Sequence, residues 1–226
     1  MKQGTAGRLH ELISEGEHQQ QDFKYKITDA PKLARSVSAF ANTDGGRLLI
    51  GVRDDGSIHG VRSEEEIFMM HAAACKFCCP VPTIKFETLQ VPTEPHGGRI
   101  RTVVICTVMP STQRPVFALE EEKKTAYIRV ADENIVASPV HLAIWRQETR
   151  LRGEAYGDTP EEHALLAALN EHTKGLPLNA LLRSASVASA YPLPRPLTIT
   201  LLARFVRFGL ARVLRREQQW LFLPAE

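Results

Sequence analysis

No stretch of this chain approaches the ~20 consecutive apolar residues that a membrane-spanning helix needs. The first residues, MKQGTAGRLHELISEGE, lack the apolar centre of a secretory signal, so a cytoplasmic protein without a membrane partner is expected. In that reducing compartment the four cysteines (Cys75, Cys78, Cys79 and Cys106) are expected to be free thiols. Cys75-x-x-Cys78-Cys79 has no second C-x-x-C to complete the four ligands of a structural zinc site. Only Cys106 and scattered histidines such as His71 and His96 could supplement it, and buried thiols are the commoner use of such residues. The chain also lacks G-x-x-x-x-G-K-[ST], G-x-S-x-G and H-E-x-x-H. A P-loop nucleotide site, a nucleophile elbow and a zincin are therefore unsupported. Internal repeats and low-complexity segments are absent as well.

What is present is the composition of a soluble protein, 43% hydrophobic and 24% charged over 226 residues. That length suits one large domain or two small ones. The net charge of +2 conceals an asymmetry. Residues 1–149 carry 18 basic and 19 acidic side chains, whereas residues 174–226 carry eight basic and two acidic ones. Seven of those eight are arginines, whose forks match phosphate oxygens, so the C-terminal part points to a polyanionic partner or to a solvated basic face.

The stretch over 38–60, SAFANTDGGRLLIGVRDDGSIHG, organises the first part of the chain. A helical face of Leu33, Val37, Phe40 and Ala41 runs into Asn42, Gly45 and Gly46, which tolerate the left-handed conformation that ends helices. Leu48, Leu49, Ile50 and Val52 read as a strand buried on both faces. Asp54-Asp55-Gly56-Ser57 is a tight turn, with residues 58–61 expected to return as a partner strand. Around this core, 22–27 alternates polar and apolar as a half-buried strand does, Asp29 and Pro31 open a helix, and Ser63 with Glu64–Glu66 opens a second. Strands are expected over 83–90, 99–109, 116–119 and 126–130, with hairpin connections at 95–98 and 120–124, then a loop over 131–138 and a helix over 139–150. Residues 151–158 read as a polar linker. Thr159-Pro160-Glu161-Glu162 is a capping box, and helices over 160–172, 178–188 and 197–208 precede a hairpin over 211–223. The fold class is therefore α+β: a mixed-sheet domain over 1–150, then a small winged-helix layout over 159–226.

Two constellations could carry chemistry. Acidic groups at strand ends, Glu17, Asp22 and Asp54, can hold Mg²⁺ or Mn²⁺, hard cations that prefer carboxylate oxygen, and Lys24 shares a strand face with Asp22. Such a site would activate water against a phosphodiester, with Lys24 stabilising developing charge. Equally, Asp22 and Lys24 can be a surface pair and Asp54 a turn former. In the helix over 197–208, Leu197, Leu201, Leu202, Phe205 and Phe208 are expected to face a core. Thr200, Arg204 and Arg207 share the opposite stripe, as on a recognition helix in a major groove, and Arg212, Arg215 and Arg216 would be phosphate contacts in the wing. A structural or dimerising winged helix has the same pattern.

The blocks DFKYKI, SAFANTDGGRLLIGVRDDGSIHGV, RPVF and AYIRVADENIVAS, in that order, resemble the Schlafen AlbA-like domain over about residues 8–145. The resemblance implies an α+β fold, nucleic-acid binding and a frequent role in bacterial transcriptional regulators with a C-terminal winged helix. In the nuclease members, two glutamates five apart and one aspartate form an acidic RNA-cleaving site. Those positions fall on Glu17, Asp22 and Asp54, with an aspartate at 22 where those members carry glutamate. Those members pair two lobes, so a single lobe would complete its groove as a homodimer. A nucleic-acid-binding regulator, with DNA rather than RNA as partner, is the leading expectation. A metal-dependent endoribonuclease and an interaction module that only dimerises are the alternatives.

Overall fold

The computed structural model describes residues 5–92, 99–121, 123–148, 159–189 and 192–225. The expected connection at 95–98 and the linker at 151–158 lie outside the described residues. The chain divides into two units, Met1–Ala137 and Ser138–Glu226. Among the described residues no helix is long and apolar enough to cross a membrane.

The first unit begins with α1 (Thr5–Ser14), β1 (Gln21–Lys24), α2 (Ala30–Asn42), β2 (Gly46–Ile50) and α3 (Ser63–Phe77). It continues with β3 (Cys78–Cys79), β4 (Ile84–Pro92), β5 (Ile100–Val108), β6 (Phe117–Glu120), β7 (Lys123–Val130) and β8 (Glu133–Val136). One sheet has the order β1-β2-β5-β4 and a second the order β3-β6-β7-β8. The β1–β2 pair is parallel, which requires a crossover, and α2 supplies it. In β2, Leu48 and Ile50 join the core made with α2 and α3, while Leu49 and the following Val52 join the one made with Leu9 and Leu12 of α1. Burial on both faces explains the unbroken apolar run.

Ten of the thirteen α2 residues are buried, so the helix is enclosed except along the side that carries Lys32 and Arg35. Its Asp29 cap accepts from Lys32 N as the sequence suggests. Asn42 does not simply end the helix. It is 1% exposed, donates to the carbonyls of Val116 and Tyr127 and accepts from Val116 N, tying α2 to the second sheet. The close passage at the helix end requires glycine: a Cβ on Gly46 would lie 2.4 Å from the Phe40 ring and 2.9 Å from the Gln20 carbonyl. Gly46→Ala is expected to destabilise the first unit by about 1–3 kcal/mol, as overpacking does. Urea unfolding followed by circular dichroism measures it, and Phe40→Leu in the same chain should recover part of the loss.

Three expectations need correction. Residues 58–61 do not return as a strand beside β2; only Val52 and Ile58 bridge, because β1 and β5 already flank β2. The loop expected over 131–138 contains β8, paired with β7. The strand expected over 22–27 is the shorter β1.

The second unit contains α4 (Pro139–Glu148), α5 (Pro160–Glu171), β9 (Leu176–Pro177), α6 (Leu178–Ala188), α7 (Arg195–Arg207), β10 (Ala211–Arg216) and β11 (Gln219–Pro224). The division expected at residue 150 thus falls before α4, because Val140 is fully buried in one core with Leu165, Leu181, Leu202 and Phe222. The Thr159 capping box forms as its sequence suggests. Strands order β10-β11-β9, and Glu217 and Gln218 take left-handed φ of 46° and 64°, as a type I′ hairpin turn requires. Leu201, Leu202 and Phe205 are buried, but Leu197 and Phe208 are exposed at the two ends of α7.

Candidate functional site

The start of β1 carries a buried polar network. Glu17 lies between α1 and β1, and its Oε1 accepts from Phe23 N at 2.8 Å. Burial, and next a hydrogen bond with the Asp22 carboxylate, push the Glu17 carboxyl above the usual carboxylate range. Asp22 is 5% exposed. Lys24 Nζ lies 2.6 Å from its Oδ2 and donates to the Phe23 carbonyl, while Arg129 Nη2 lies 3.5 Å from its Oδ1. Arg129, on β7, is 1% exposed. It also donates to the His18 and Gln21 carbonyls and to Asn134 Oδ1, and its guanidinium lies 5.0 Å from the Phe40 ring centre. Sequence reasoning missed this arginine. The available signal was its parity with Tyr127 in AYIRV, which places a charge on the inward face, where it needs a partner.

Asp54 does not join this network. It lies exposed in a turn closed by Gly56 N to the Arg53 carbonyl at 2.8 Å and Arg53 N to the Ser57 carbonyl at 3.0 Å, and Asp55, not Asp54, accepts from Ser57 N. The structure therefore brings Glu17, Asp22 and Lys24 together and leaves Asp54 apart. Among the described residues no three His, Cys, Asp or Glu side chains are grouped to hold a metal ion, so the expected Mg²⁺ or Mn²⁺ triad is not assembled. The segment after β2 is tied to the end of β1 by Gly51 N donating to the Lys24 carbonyl at 2.7 Å, yet Asp54 sits at the exposed tip of the turn, while Asp22 is already neutralised by two cations. The cysteines form no zinc site among the described residues either. Cys78 and Cys106 are buried, which pushes both thiols up to about 12, and His96 lies outside the described residues.

Beyond β1 the surface becomes basic and aromatic. The Tyr25 and His59 rings lie 4.3 Å apart and are tilted by 51°. Arg53 sits 5.0 Å and Lys26 Nζ 6.0 Å from the Tyr25 ring centre. Arg101 closes the group by packing on Gly60, whose φ of +78° and missing Cβ let it approach: a Cβ there would lie 3.0 Å from Arg101 Cβ. Desolvation, then the positive charges of Arg53, Arg101 and Lys26, hold the His59 imidazole below its ordinary range. Arg101 Nε is buried with no hydrogen-bond partner among the described residues. These five residues come from three separate segments, and only the Lys-Tyr-Lys run after Phe23 hinted at them.

In the second unit the expected arginine surface is divided. Arg204 turns inward: its Nη1 lies 3.0 Å from Glu162 Oε1, with the arginine side chain 18% and the glutamate 1% exposed. Arg215 lies over the Trp220 ring at 5.2 Å. Arg207 is exposed, donating to Gln147 Oε1 at 3.5 Å, and Thr200 is exposed with its hydroxyl turned back to the Pro196 carbonyl. Arg212 and Arg216 alternate with inward residues on the outer face of β10. The outward set is thus Thr200, Arg207, Arg212 and Arg216.

Comparison with known proteins bears on the first unit. A family model described as Schlafen, AlbA_2 matches residues 17–138. Among solved structures, the crystal structure of the DIP2311 protein from Corynebacterium diphtheriae is similar, at 19% identity and a TM-score of 0.40, over 74% of this chain and 32% of that one. The chain thus spans about a third of that protein's length. No functionally curated protein matches. The matched residues run from Glu17 through the Asp54 turn to Arg129 and past β8, more than half of the whole, and the chain belongs to the Schlafen AlbA_2 family.

Proposed function

We propose that this is a nucleic-acid-binding protein whose first unit holds the phosphate backbone at Lys26, Arg53 and Arg101 and lays Tyr25 and His59 against sugars or bases. The observation that carries this reading is the convergence of three cations and two aromatic rings on one surface. Cations and stacking rings are the two recognition elements of sequence-tolerant nucleic-acid surfaces. Membership of the AlbA_2 family, associated with nucleic acid, agrees with it. The second unit, with helices α5, α6 and α7 beside the β10-β11-β9 sheet, is read as a winged helix that docks on DNA through Arg207, Arg212 and Arg216, in the service of transcriptional regulation. Arg204 is not part of that docking surface, because Glu162 holds it.

Binding to a labelled DNA duplex should weaken steeply with salt, as counterion release demands. Exchanging Lys26, Arg53 and Arg101 for glutamine should lower affinity about 100-fold at low salt and flatten the salt slope by about one for each phosphate no longer neutralised. An unchanged slope in the triple variant would reject this surface, and no binding at low salt would reject the function.

A further inference from the structure

Beside the basic surface lies a groove of about 590 Å³ between the end of β1, the first turns of α2 and β8. That volume suits a small molecule or one nucleotide. Lys24, Lys26, Lys32 and Arg35 line it, with Ser36 and Asn134. Not all of that charge is available. Lys24 is paired with Asp22, and Arg35 donates from Nε to Glu120 Oε1 at 2.6 Å. Of the two lining carboxylates, Asp29 is occupied as the α2 cap and Glu133 is exposed. Lys26 and Lys32 form no ion pair among the described residues. Ser36 is 4% exposed, and its Oγ accepts from Asn134 Nδ2 at 2.9 Å; Asn134 is in turn fixed by Arg129 at 3.0 Å. The Ser36 hydroxyl hydrogen therefore has no acceptor among the described residues.

Two unpaired ammonium groups and one unspent buried donor complement a dianion with several acceptor oxygens. A terminal phosphomonoester is such a group, carrying about −1.5 to −2 charge at pH 7, whereas an internal phosphodiester carries a single charge. Lys26 belongs to both sites, lying 6.0 Å from the Tyr25 ring centre and lining the groove, so a strand on the basic surface can deliver its end there. We propose that the groove binds a phosphomonoester, namely the phosphorylated end of a nucleic-acid strand. The strand as its source rests on the nucleic-acid reading above; the phosphoryl site does not.

The experiment compares one short single-stranded oligonucleotide bearing a 5′-phosphate, a 3′-phosphate or only hydroxyl ends, with adenosine monophosphate and adenosine as separate probes. One phosphorylated form should bind about tenfold more tightly than the hydroxyl form, the worth of a charge-assisted contact. Lys32→Gln should close that gap while leaving hydroxyl-end binding unchanged, and Lys32→Arg should restore it. Equal binding of all three strands overturns the inference and leaves nucleic-acid binding standing. If no strand binds, but adenosine monophosphate binds and Lys32→Gln abolishes that, the phosphoryl site holds with a free nucleotide as its source, and a strand end as its source is overturned. Failure of strands and nucleotide alike overturns the inference, while the duplex titration at low salt decides the nucleic-acid reading on its own.

Discussion

Replacing Arg129 by leucine is expected to cost the first unit about 3–5 kcal/mol of stability, the usual consequence of breaking a buried ion pair from one side. Its side chain is fully buried, and the side chain of Asp22 is 7% exposed, so little solvent is available to compensate. The loss has three parts. Asp22 keeps only Lys24 as counter-charge. The His18 and Gln21 carbonyls lose their guanidinium donor, and so does Asn134. The two carbonyls keep the backbone bonds that His18 and Gln21 exchange, whereas Asn134 Oδ1 is left without its donor, which costs about 1–3 kcal/mol. Arg129→Lys retains the charge but not the fork that reaches several acceptors at once, so it should fall between leucine and the native residue. Urea unfolding followed by far-ultraviolet circular dichroism reads the effect. A loss below about 1 kcal/mol, the scale of a surface pair, would show that the network is not what holds β1 to β7.

The second large effect is expected at Arg204. Arg204→Ala leaves the Glu162 carboxylate, 1% exposed, without its cation, and should destabilise the second unit by about 3 kcal/mol or more. Arg207→Ala, at an exposed position, should stay within about 0.5 kcal/mol. Both tryptophans, Trp145 and Trp220, belong to the second unit, so their fluorescence reports its unfolding alone. Adding Glu162→Gln to Arg204→Ala removes the stranded charge and keeps a residue that serves in a capping box, so most of the stability should return. If Arg204→Ala melts normally yet loses nucleic acid, Arg204 is a contact residue and its pairing with Glu162 is incidental. If both Arg204→Ala and the double variant melt normally and bind normally, the ion pair has neither role.

Local chemistry made much of the fold legible. The Asp29 cap, the proline after it and the glycines after Phe40 bound α2 because each acts on its own few residues. The Thr159 box marks α5 for the same reason. The unbroken Leu48–Ile50 run disclosed a strand covered on both sides. Partners distant in sequence were not legible. Arg129 meets Asp22 across 107 positions, and nothing local distinguishes it from a surface arginine. The Thr200, Arg204, Arg207 stripe was correctly placed on a helix, but periodicity cannot show that Glu162 waits opposite its middle member. The acidic triad is not assembled for a related reason: Asp54 follows a buried strand, but the sequence does not show that the turn holds its side chain out in solvent, away from Glu17 and Asp22. The basic surface was overlooked because Gly60, a residue without a side chain, is what admits Arg101.

The strand order has a consequence for synthesis on the ribosome. β5 lies between β2 and β4, yet it follows β2 by some fifty residues. Until residues 100–108 emerge, β2 has β1 on one side and an open edge on the other, exposing the amide and carbonyl row of a strand whose Leu48, Leu49 and Ile50 are all apolar. Open apolar edges invite pairing with other chains. The nascent protein is thus most vulnerable to aggregation in the interval between β2 and β5, and α1 and α2, both made early, can shield the faces of that strand but not its edge.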